Sequence, residues 1–280
     1  MAGKLADRRD SAAPCTVRPL RGYAPNAGGL AQCRVAVSLP ATAFDLDELA
    51  QADNLADWAF AQFQDLVGDH VVEVGPGLGT FSQRVLDSGA SSVLLVEPER
   101  AFHDALAERY RDEARVTLVQ EAVPGSPTLA AAGPSADFVL CQNVIEHIAD
   151  DHGAVRAMAD ALRPGGHLGL LVPAHPRLYG SLDEAFGHHR RYTRERLGEV
   201  VGVAGLELVD LYSFNLLGVA GWWVKGRSGA GGLGAGSLAA YERLVQGWRH
   251  LEGWRRPPWG LSLIARARKP DVAAASPLSL

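Results

Sequence analysis

The sequence predicts an α/β fold in which helices cover both faces of a mostly parallel sheet. One observation is an apolar run at 71–74 that leads into a glycine-rich turn and then a helical pattern. A second is the alternation of short apolar strands with helical patterns from there to residue 213, which is typical of parallel sheets. At 280 residues the chain can bury the core of one such domain without disulfides or metal.

Composition and charge exclude several classes of protein. The 27 Lys and Arg residues are outnumbered by 32 Asp and Glu residues, and this net charge of −5 argues against a nucleic-acid partner. Cys15, Cys33 and Cys141 form no C-x-x-C pair, so we expect no disulfide framework, no metal site and a cytoplasmic location. The N-terminus lacks a signal-peptide core, and no apolar run reaches the ~18 residues that a membrane span needs.

The chain is predicted to consist of an N-terminal arm and one domain. Residues 1–43 are rich in Ala, Gly and Pro without a sustained period, which predicts a flexible arm. The domain should occupy residues 44–280. Its first element is expected to be a broken amphipathic helix that Asp45 caps and Gly68 ends.

The turn at 75–79 is the predicted ligand cradle. Gly75, Gly77 and Gly79 lack Cβ atoms, so they permit positive φ and close approach of a ligand. The helix that follows would direct its free N–H groups at whatever fills the turn. Thr80 stands where a G-x-G-x-x-G motif has its last glycine, so a dinucleotide pyrophosphate is the poorer match.

An acidic residue ends the second predicted strand, 92–96. Glu97 lies twenty-four residues beyond Glu73, where a βαβ unit places the acid that hydrogen-bonds a ribose diol. We therefore expect both acids to belong to one adenosine pocket. A helix at 99–111 and a third strand at 114–119 follow.

Four stretches resemble, in order, the motifs of class I S-adenosylmethionine-dependent methyltransferases. They are VVEVGPGLGTFS at 71–82, VEPE at 96–99, CQNVIEHI at 141–148 and LRPGGHLGLLVPA at 162–174. The resemblance covers about 45–269. It implies a Rossmann-like seven-stranded, mostly parallel sheet with helices on both faces and a C-terminal antiparallel hairpin, and it implies S-adenosyl-L-methionine as the cofactor.

The resemblance also implies which residues hold the cofactor. The family usually follows its third strand with an acid that receives the adenine amino group; Ala122 occupies that position, and the adjacent Glu121 is the alternative. A comparable first helix lies across the cofactor in this family, so Asn54 and Trp58 are lid candidates, with core packing of Trp58 as the alternative. The predicted cofactor residues are Glu73, Gly75, Pro76, Gly77, Gly79, Thr80, Glu97, Pro98, Glu121, Ala122, Gln142, Asn143 and His147.

The end of the fourth strand, 137–141, is where the family presents the methyl group. The Asn/Asp-Pro-Pro-Tyr/Phe run of methyltransferases that act on DNA bases or glutamine is missing from the sequence there. Glu146 and His147 instead resemble the EH pair of many small-molecule methyltransferases. Asp150 is then predicted to cap a helix that runs to Leu162, before a fifth strand at 167–173.

The segment 174–193, AHPRLYGSLDEAFGHHRRYT, interrupts the next strand-to-helix connection with many polar groups. A connection of this length is usually functional, so we predict that it covers the acceptor; a structural, hydrogen-bonded lid is the alternative. The candidate catalytic residues are His147, His188, His189 and Tyr192.

The C-terminal part is predicted to complete the sheet. Thr193 should cap a helix to Val203, a sixth strand should occupy 206–213, and 260–269 alternates as an edge strand does. Residues 215–259 would then be an insertion that covers an apolar acceptor, forms a homodimer contact or makes a satellite core. Its aromatic residues are Trp222, Trp223, Tyr241, Trp248, Trp254 and Trp259.

The expected function is transfer of a methyl group by in-line displacement to a small organic acceptor, through oxygen or nitrogen, for example in secondary metabolism. A base is needed only when the attacking atom starts protonated. An RNA or protein methyltransferase that uses the basic residues after Glu242 is the alternative. A nicotinamide-dependent oxidoreductase shares the glycine turn and Glu97, and a scaffold that only binds the cofactor is the remaining alternative.

Overall fold

A seven-stranded sheet organises the computed structural model, which describes residues 52–219, 222 and 235–271. Its strand order is β3-β2-β1-β4-β5-β7-β6, and only β7 runs antiparallel to its two neighbours. This arrangement confirms the predicted fold class. The strands are His70–Val74 (β1), Ser92–Val96 (β2), Val116–Val119 (β3), Ala136–Gln142 (β4), Leu162–Pro173 (β5), Glu207–Phe214 (β6) and Ser262–Arg268 (β7).

Helices flank this sheet, and short 3₁₀ turns at Gln64–Leu66, Ile145–His147 and Pro176–Leu178 connect elements. The described α-helices are Asp53–Phe60 (α1), Thr80–Asp87 (α2), Arg100–Arg109 (α3), Pro127–Ala132 (α4), Asp151–Ala161 (α5), Ser181–Ala185 (α6), Arg194–Val203 (α7) and Ala235–Trp254 (α8). In the part of the chain that the structure describes, no helix is both long and apolar enough to cross a bilayer.

The sheet is buried on both faces because successive strand residues enter two different cores. In β4, Val139 and Cys141 join the core that includes α5 and α7, whereas Phe138 and Leu140 join the core that includes α1, α2 and α3. Strands buried on both faces read as continuous apolar runs. This burial explains why β1, β2 and β4 could be recognised in the sequence.

Local capping signals were predicted correctly. The Asp150 side chain accepts the Gly153 N–H at the start of α5, and the Thr193 hydroxyl accepts the Arg196 N–H at the start of α7. Gly205, at φ +76°, follows the end of α7. These side chains fix where the two helices that cover one face of the sheet begin.

The prediction that 260–269 forms an edge strand is wrong. β7 lies between β5 and β6, so the sheet edges are β3 and β6. The strand alternates because its arginines extend out of the core: Arg266 pairs with Asp65, and Arg268 pairs with Asp271 at 2.6 Å. A charged alternation of this kind does not distinguish an edge strand from an interior one.

The described part of the first helix packs against the core, and its role as a lid over the cofactor stays a prediction. Trp58 is 5% exposed, and its ring lies 4.3 Å from that of Phe214. The Asn54 side chain accepts a hydrogen bond from Gln246, which lies on α8. The packing alternative therefore holds for Trp58. Asp45, the predicted start of this helix, and the arm at 1–43 lie outside the described residues.

Aromatic residues of the 215–259 segment have different environments. Tyr241 and Trp248 pack against the core. Trp222 stacks on Phe186 and lies over the Arg191 guanidinium, so it contacts the 174–193 segment. In contrast, Trp254 and Trp259 are mostly exposed, and Trp223 lies outside the described residues. The segment thus contributes side chains to the core that includes α1, α2 and α3, while its roles as satellite core, acceptor cover and dimer contact stay predictions.

Candidate active site

The parallel strands β1, β2 and β4 are neighbours in the sheet, so their carboxyl ends lie side by side. The glycine turn follows β1, Glu97 follows β2, and the Gln142–His147 stretch follows β4. Open α/β sheets bind ligands at such strand ends, where the strand order reverses between neighbouring strands. The structure therefore brings most of the predicted cofactor residues to the carboxyl ends of these strands.

The glycines of the turn are required for two different reasons. Gly75 has φ +70°, and a Cβ there would lie 2.4 Å from a Val144 methyl carbon, so close packing excludes a side chain. Gly77 has φ +56°, and a Cβ there would meet no described atom within 4 Å. The space beside Gly77 is therefore open, as a ligand cradle requires. Both left-handed conformations favour glycine.

Glu97 joins the turn to the end of β2. Its Oε2 accepts the Gly77 N–H at 3.0 Å, and its Oε1 accepts the Glu99 N–H at 3.0 Å. The residue is 4% exposed, and burial raises the pKa of its carboxyl. A carboxylate has about four acceptor positions, so a group held in this way can still accept from two hydroxyls.

Glu73 lies within β1 and contacts the helix that follows the turn. Its Oε2 accepts the Ser82 hydroxyl at 2.6 Å, and burial raises its pKa to about 7. The acid therefore anchors α2 to the central strand. Its predicted part in cofactor binding stays a prediction.

The acid after the third strand has a structural role that the sequence prediction missed. The Glu121 carboxylate accepts from the Ser126 hydroxyl, and from the Thr128 N–H and hydroxyl at 3.1 and 2.7 Å. These hydrogen bonds, Ser126 first, hold the pKa of Glu121 below its usual range. Glu121 thus caps α4, and its predicted contact with the adenine stays a prediction. Ala122 beside it is exposed.

The remaining predicted cofactor residues lie around the turn and the strand ends. Pro76 is buried, Thr80 opens α2, and Pro98 is exposed. Asn143 is exposed and has φ +51°, a left-handed conformation that is uncommon outside glycine. Strained positions of this type concentrate at functional sites.

At the end of β4 and in the turn that follows it, two residues have buried polar side-chain atoms with no hydrogen-bond partner among the described residues. They are Gln142, at both amide atoms, and Glu146, at both carboxyl oxygens. Glu146 is 0% exposed, and burial raises its pKa to about 8. Leaving a buried polar group unpaired costs roughly 1 to 3 kcal/mol, and more for a charge. Such groups are expected where a ligand completes the hydrogen bonding.

The 174–193 segment is organised by the buried carboxylate of Asp183. It accepts from His188 Nδ1 at 2.8 Å, from Arg191 Nε at 2.8 Å and from the Gly180 N–H at 3.1 Å. Burial acts to raise the pKa of Asp183, but the hydrogen bonds from His188 and Arg191 outweigh it, so the pKa is lowered. Asp183 was not among the predicted site residues.

The segment carries His188 to the end of β4. The rings of His147 and His188 meet edge to face, with centroids 4.7 Å apart. Burial of its ring, with a contribution from His188, lowers the pKa of His147 to about 4 although the residue as a whole is exposed. His147 is thus held neutral at physiological pH. Two of the predicted catalytic residues are brought together here.

The other two predicted catalytic residues lie near this pair, but their side chains do not join it. Tyr192 is 0% exposed, and its hydroxyl donates to Asp151 at 3.0 Å, with the Ile145 carbonyl a second acceptor at 3.3 Å that shares the same proton. Burial raises the pKa of Tyr192 above its ordinary value. Because the side chain is fully buried and its hydroxyl is held by Asp151, the prediction that Tyr192 faces the acceptor is wrong. The His189 side chain is exposed, and its backbone N–H donates to the Glu146 carbonyl.

A separate groove of about 210 Å³ lies beside β5, β6 and β7. None of its lining residues belongs to the glycine turn or to 142–147. His175, at φ +59°, contributes to the lining, and its Nε2 is buried with no partner within the described part of the chain. The lining residues are Ala174, His175, Tyr192, Thr193, Arg194, Glu195, Ser213, Pro258, Trp259 and Leu263.

Comparison with known proteins identifies relatives by sequence. A family model described as a methyltransferase domain matches residues 44–211, more than half of the chain. The ubiquinone biosynthesis O-methyltransferase of Ralstonia nicotianae is 32% identical over 103 residues, 37% of this chain and 42% of that protein. The ribosomal RNA small subunit methyltransferase A of Prochlorococcus marinus is 39% identical over 72 residues, 26% of this chain and 26% of that protein. The chain thus spans less than half the length of these two relatives.

Solved structures share the fold. An S-adenosylmethionine dependent methyltransferase from Mesorhizobium loti is 16% identical with a TM-score of 0.56, over 78% of this chain and 99% of that one. The N-methyltransferase NodS from Bradyrhizobium japonicum, in complex with S-adenosyl-l-homocysteine, is 13% identical with a TM-score of 0.52. The match covers 84% of this chain and 94% of that one. The cyclase SpnF is 20% identical with a TM-score of 0.52, and the match covers 78% of this chain and 81% of that one. From the family match and this architecture, the chain belongs to the class I S-adenosylmethionine-dependent methyltransferases.

Proposed function

We propose that this protein transfers a methyl group from S-adenosylmethionine to a small organic acceptor. The observation that carries the proposal is the Glu97 carboxylate, which joins the open glycine turn at Gly77 to the end of β2. When bound, S-adenosylmethionine supplies a methyl group activated by a positive sulfur. The chain must then hold the acceptor atom in line and exclude water.

The residues present fit this cofactor. Glu97 retains acceptor positions for the ribose hydroxyls, and the space beside Gly77 admits close approach of the ligand. The side-chain amide of Gln142, which has no partner among the residues that the structure describes, offers both a donor and an acceptor at the end of β4. These groups lie on the ends of three adjacent strands, so they are held by the sheet and need little reorganisation on binding.

The acceptor is proposed to lie against Glu146, His147 and His188. Support comes from Glu146, whose buried oxygens have no partner in the described chain, and from the 174–193 segment that carries His188 to the same place. The Ralstonia relative is named for O-methylation in ubiquinone biosynthesis, which favours oxygen as the methylated atom. An arrangement of few polar groups at one strand end suits a small molecule.

An RNA acceptor is the second candidate, because one relative is named as a ribosomal RNA methyltransferase. Such an acceptor would use basic side chains, and its binding would weaken steeply with salt. The cyclase SpnF shares the fold, so an activity other than methyl transfer is the third candidate. A cytoplasmic location and a homodimer also stay predictions.

The test is transfer of a labelled methyl group. The full chain is incubated with methyl-labelled S-adenosylmethionine and, separately, with small-molecule and RNA fractions of cell extract. We expect label in the small-molecule fraction, and we expect Gly77→Val to abolish it. Label in RNA that falls with added salt would establish the second candidate in place of the first.

A further inference from the structure

We propose that Glu146, His147 and His188 bind a divalent transition-metal cation. Each residue offers one ligand atom, and these three atoms lie within 4.8 Å of one another. One carboxylate oxygen with two imidazole nitrogens is a ligand set that suits zinc and iron. The sequence-based expectation of no metal depended on cysteine spacing, which carries no information about this cluster.

The side chain of Glu146 gives the strongest support for a bound cation. The side chain is fully buried, and neither oxygen has a hydrogen-bond partner within the described chain. Arg191 is the nearby cationic group, but its guanidinium donates to Asp183 and to the Ala174 carbonyl. A buried carboxyl group whose two oxygens have no hydrogen-bond partner is unfavourable, and a bound cation would take the place of that missing partner.

His188 is oriented as a metal ligand. Asp183 accepts from its Nδ1 at 2.8 Å, which leaves Nε2 as the free nitrogen with its lone pair. Asp183 is fixed in turn by Arg191 and by the Gly180 N–H. A carboxylate that holds the second ring nitrogen of a histidine is the usual support of a histidine ligand. A nitrogen of His147 lies within 4.8 Å of the ligand atoms of His188 and Glu146, so one cation could reach all three.

Three protein ligands leave a coordination position open, which is typical of catalytic rather than structural metal sites. This part of the inference rests on the proposed function. A hydroxyl of the acceptor bound there would lose its proton to solvent more readily. Its oxygen would then bond to the methyl carbon while the C–S bond breaks and its electron pair stays on sulfur.

Metal binding is measured on the full chain, stripped with a chelator and titrated calorimetrically with zinc chloride and with magnesium chloride. We expect one zinc site per chain, weak or no magnesium binding, and a loss of about tenfold or more in zinc affinity in Glu146→Gln and His188→Ala. His147→Ala replaces an exposed residue, so it keeps the test valid if the buried variants do not fold. His70→Ala is the matched control, because it changes an exposed histidine at the amino end of β1, away from the carboxyl strand ends that carry the site.

Two outcomes would overturn the proposal: no zinc binding by the wild-type chain, or equal losses in His147→Ala and His70→Ala. Binding of S-adenosylhomocysteine by the same samples separates this inference from the proposed function. A chain that binds S-adenosylhomocysteine but no zinc retains the methyltransferase proposal and loses the metal site. A chain that binds zinc but no S-adenosylhomocysteine retains the site and loses its role in methyl transfer.

Discussion

The Glu97 carboxylate accepts the backbone N–H of Gly77 at 3.0 Å, across twenty residues of sequence. This hydrogen bond fixes the glycine turn after β1 to the end of β2, so the two halves of the predicted adenosine pocket form one unit. The same carboxylate accepts the Glu99 N–H, which holds the start of α3. Cofactor binding and the local conformation of the turn should therefore depend on the same side chain.

Replacement of Glu97 is expected to weaken cofactor binding. In Glu97→Ala, a charge-assisted hydrogen bond to the ribose worth about 1.5 to 3 kcal/mol is lost, which corresponds to roughly ten- to a hundredfold in affinity. Equilibrium dialysis with labelled S-adenosylhomocysteine measures the change. Glu99→Ala is the control, because Glu99 takes part through its backbone and its side chain is exposed. Unchanged affinity in Glu97→Ala would remove this residue from the site.

Gly77 and Gly89 provide a matched pair of substitutions. Both have positive φ, +56° and +97°, and a Cβ at either position meets no described atom within 4 Å. Gly77→Ala and Gly89→Ala should therefore lose similar stability, about 1 to 2 kcal/mol from the left-handed conformation. Only Gly77→Ala should also lose S-adenosylhomocysteine affinity, because its methyl group occupies the cradle. Equal affinities of the two variants for S-adenosylhomocysteine would mean that the glycine turn does not contact the cofactor.

Glu73 should make the unfolding free energy depend on pH. Burial raises its pKa from 4.5 to about 7, so the folded chain holds a proton that the unfolded chain has lost between these values. Stability from this group is therefore fully present below pH 4.5 and decreases as the pH rises to about 7, by on the order of 3 kcal/mol.

Urea unfolding of the wild-type chain and of Glu73→Gln across this range checks the prediction. Glu146 contributes a slope of the same sign, since its pKa is also raised, so the relevant quantity is the difference between the two proteins. The free energy of unfolding of the wild-type chain should fall relative to that of Glu73→Gln as the pH rises from about 5 to 7. A constant difference from about pH 5 to 7 would show that Glu73 titrates normally.

Tyr192→Phe should reduce stability without affecting the acceptor. The substitution removes a buried hydroxyl that donates to Asp151, while Asp151 keeps its ion pairs with Arg190 and Arg196. We expect a loss of about 1 kcal/mol in the free energy of unfolding, near the value of one net hydrogen bond. Urea unfolding gives this loss, and the acceptor KM should stay unchanged. A raised KM at unchanged stability would return Tyr192 to the acceptor site.

The features that could be predicted from the sequence are those whose deciding interactions are local. Strands buried on both faces read as apolar runs, and the caps Asp150 and Thr193 bond to residues three positions ahead. The same holds for the glycine turn, whose conformation depends on residues adjacent in sequence. Short-range patterns of this kind therefore carry most of the fold and the glycine part of the cofactor site.

The features that could not be predicted from the sequence concern side chains whose partners are distant along the chain. The partner of Tyr192 is Asp151, and that of Trp58 is Phe214. Arg266 pairs with Asp65, two hundred and one residues away, so nothing in the pattern of β7 showed that it lies inside the sheet. The contact of His188 with His147 depends on Asp183, whose role requires the folded segment.

Calorimetric titration of the wild-type chain with S-adenosylhomocysteine and, in parallel, with NADH distinguishes a methyltransferase cofactor site from a dinucleotide site. Both ligands carry an adenosine that Glu97 could hold, but only the dinucleotide needs the last glycine that Thr80 replaces. We predict one S-adenosylhomocysteine site per chain and no measurable binding of NADH. Binding of NADH in preference to S-adenosylhomocysteine, or no binding of S-adenosylhomocysteine at all, would contradict the assignment of this site to methyl transfer.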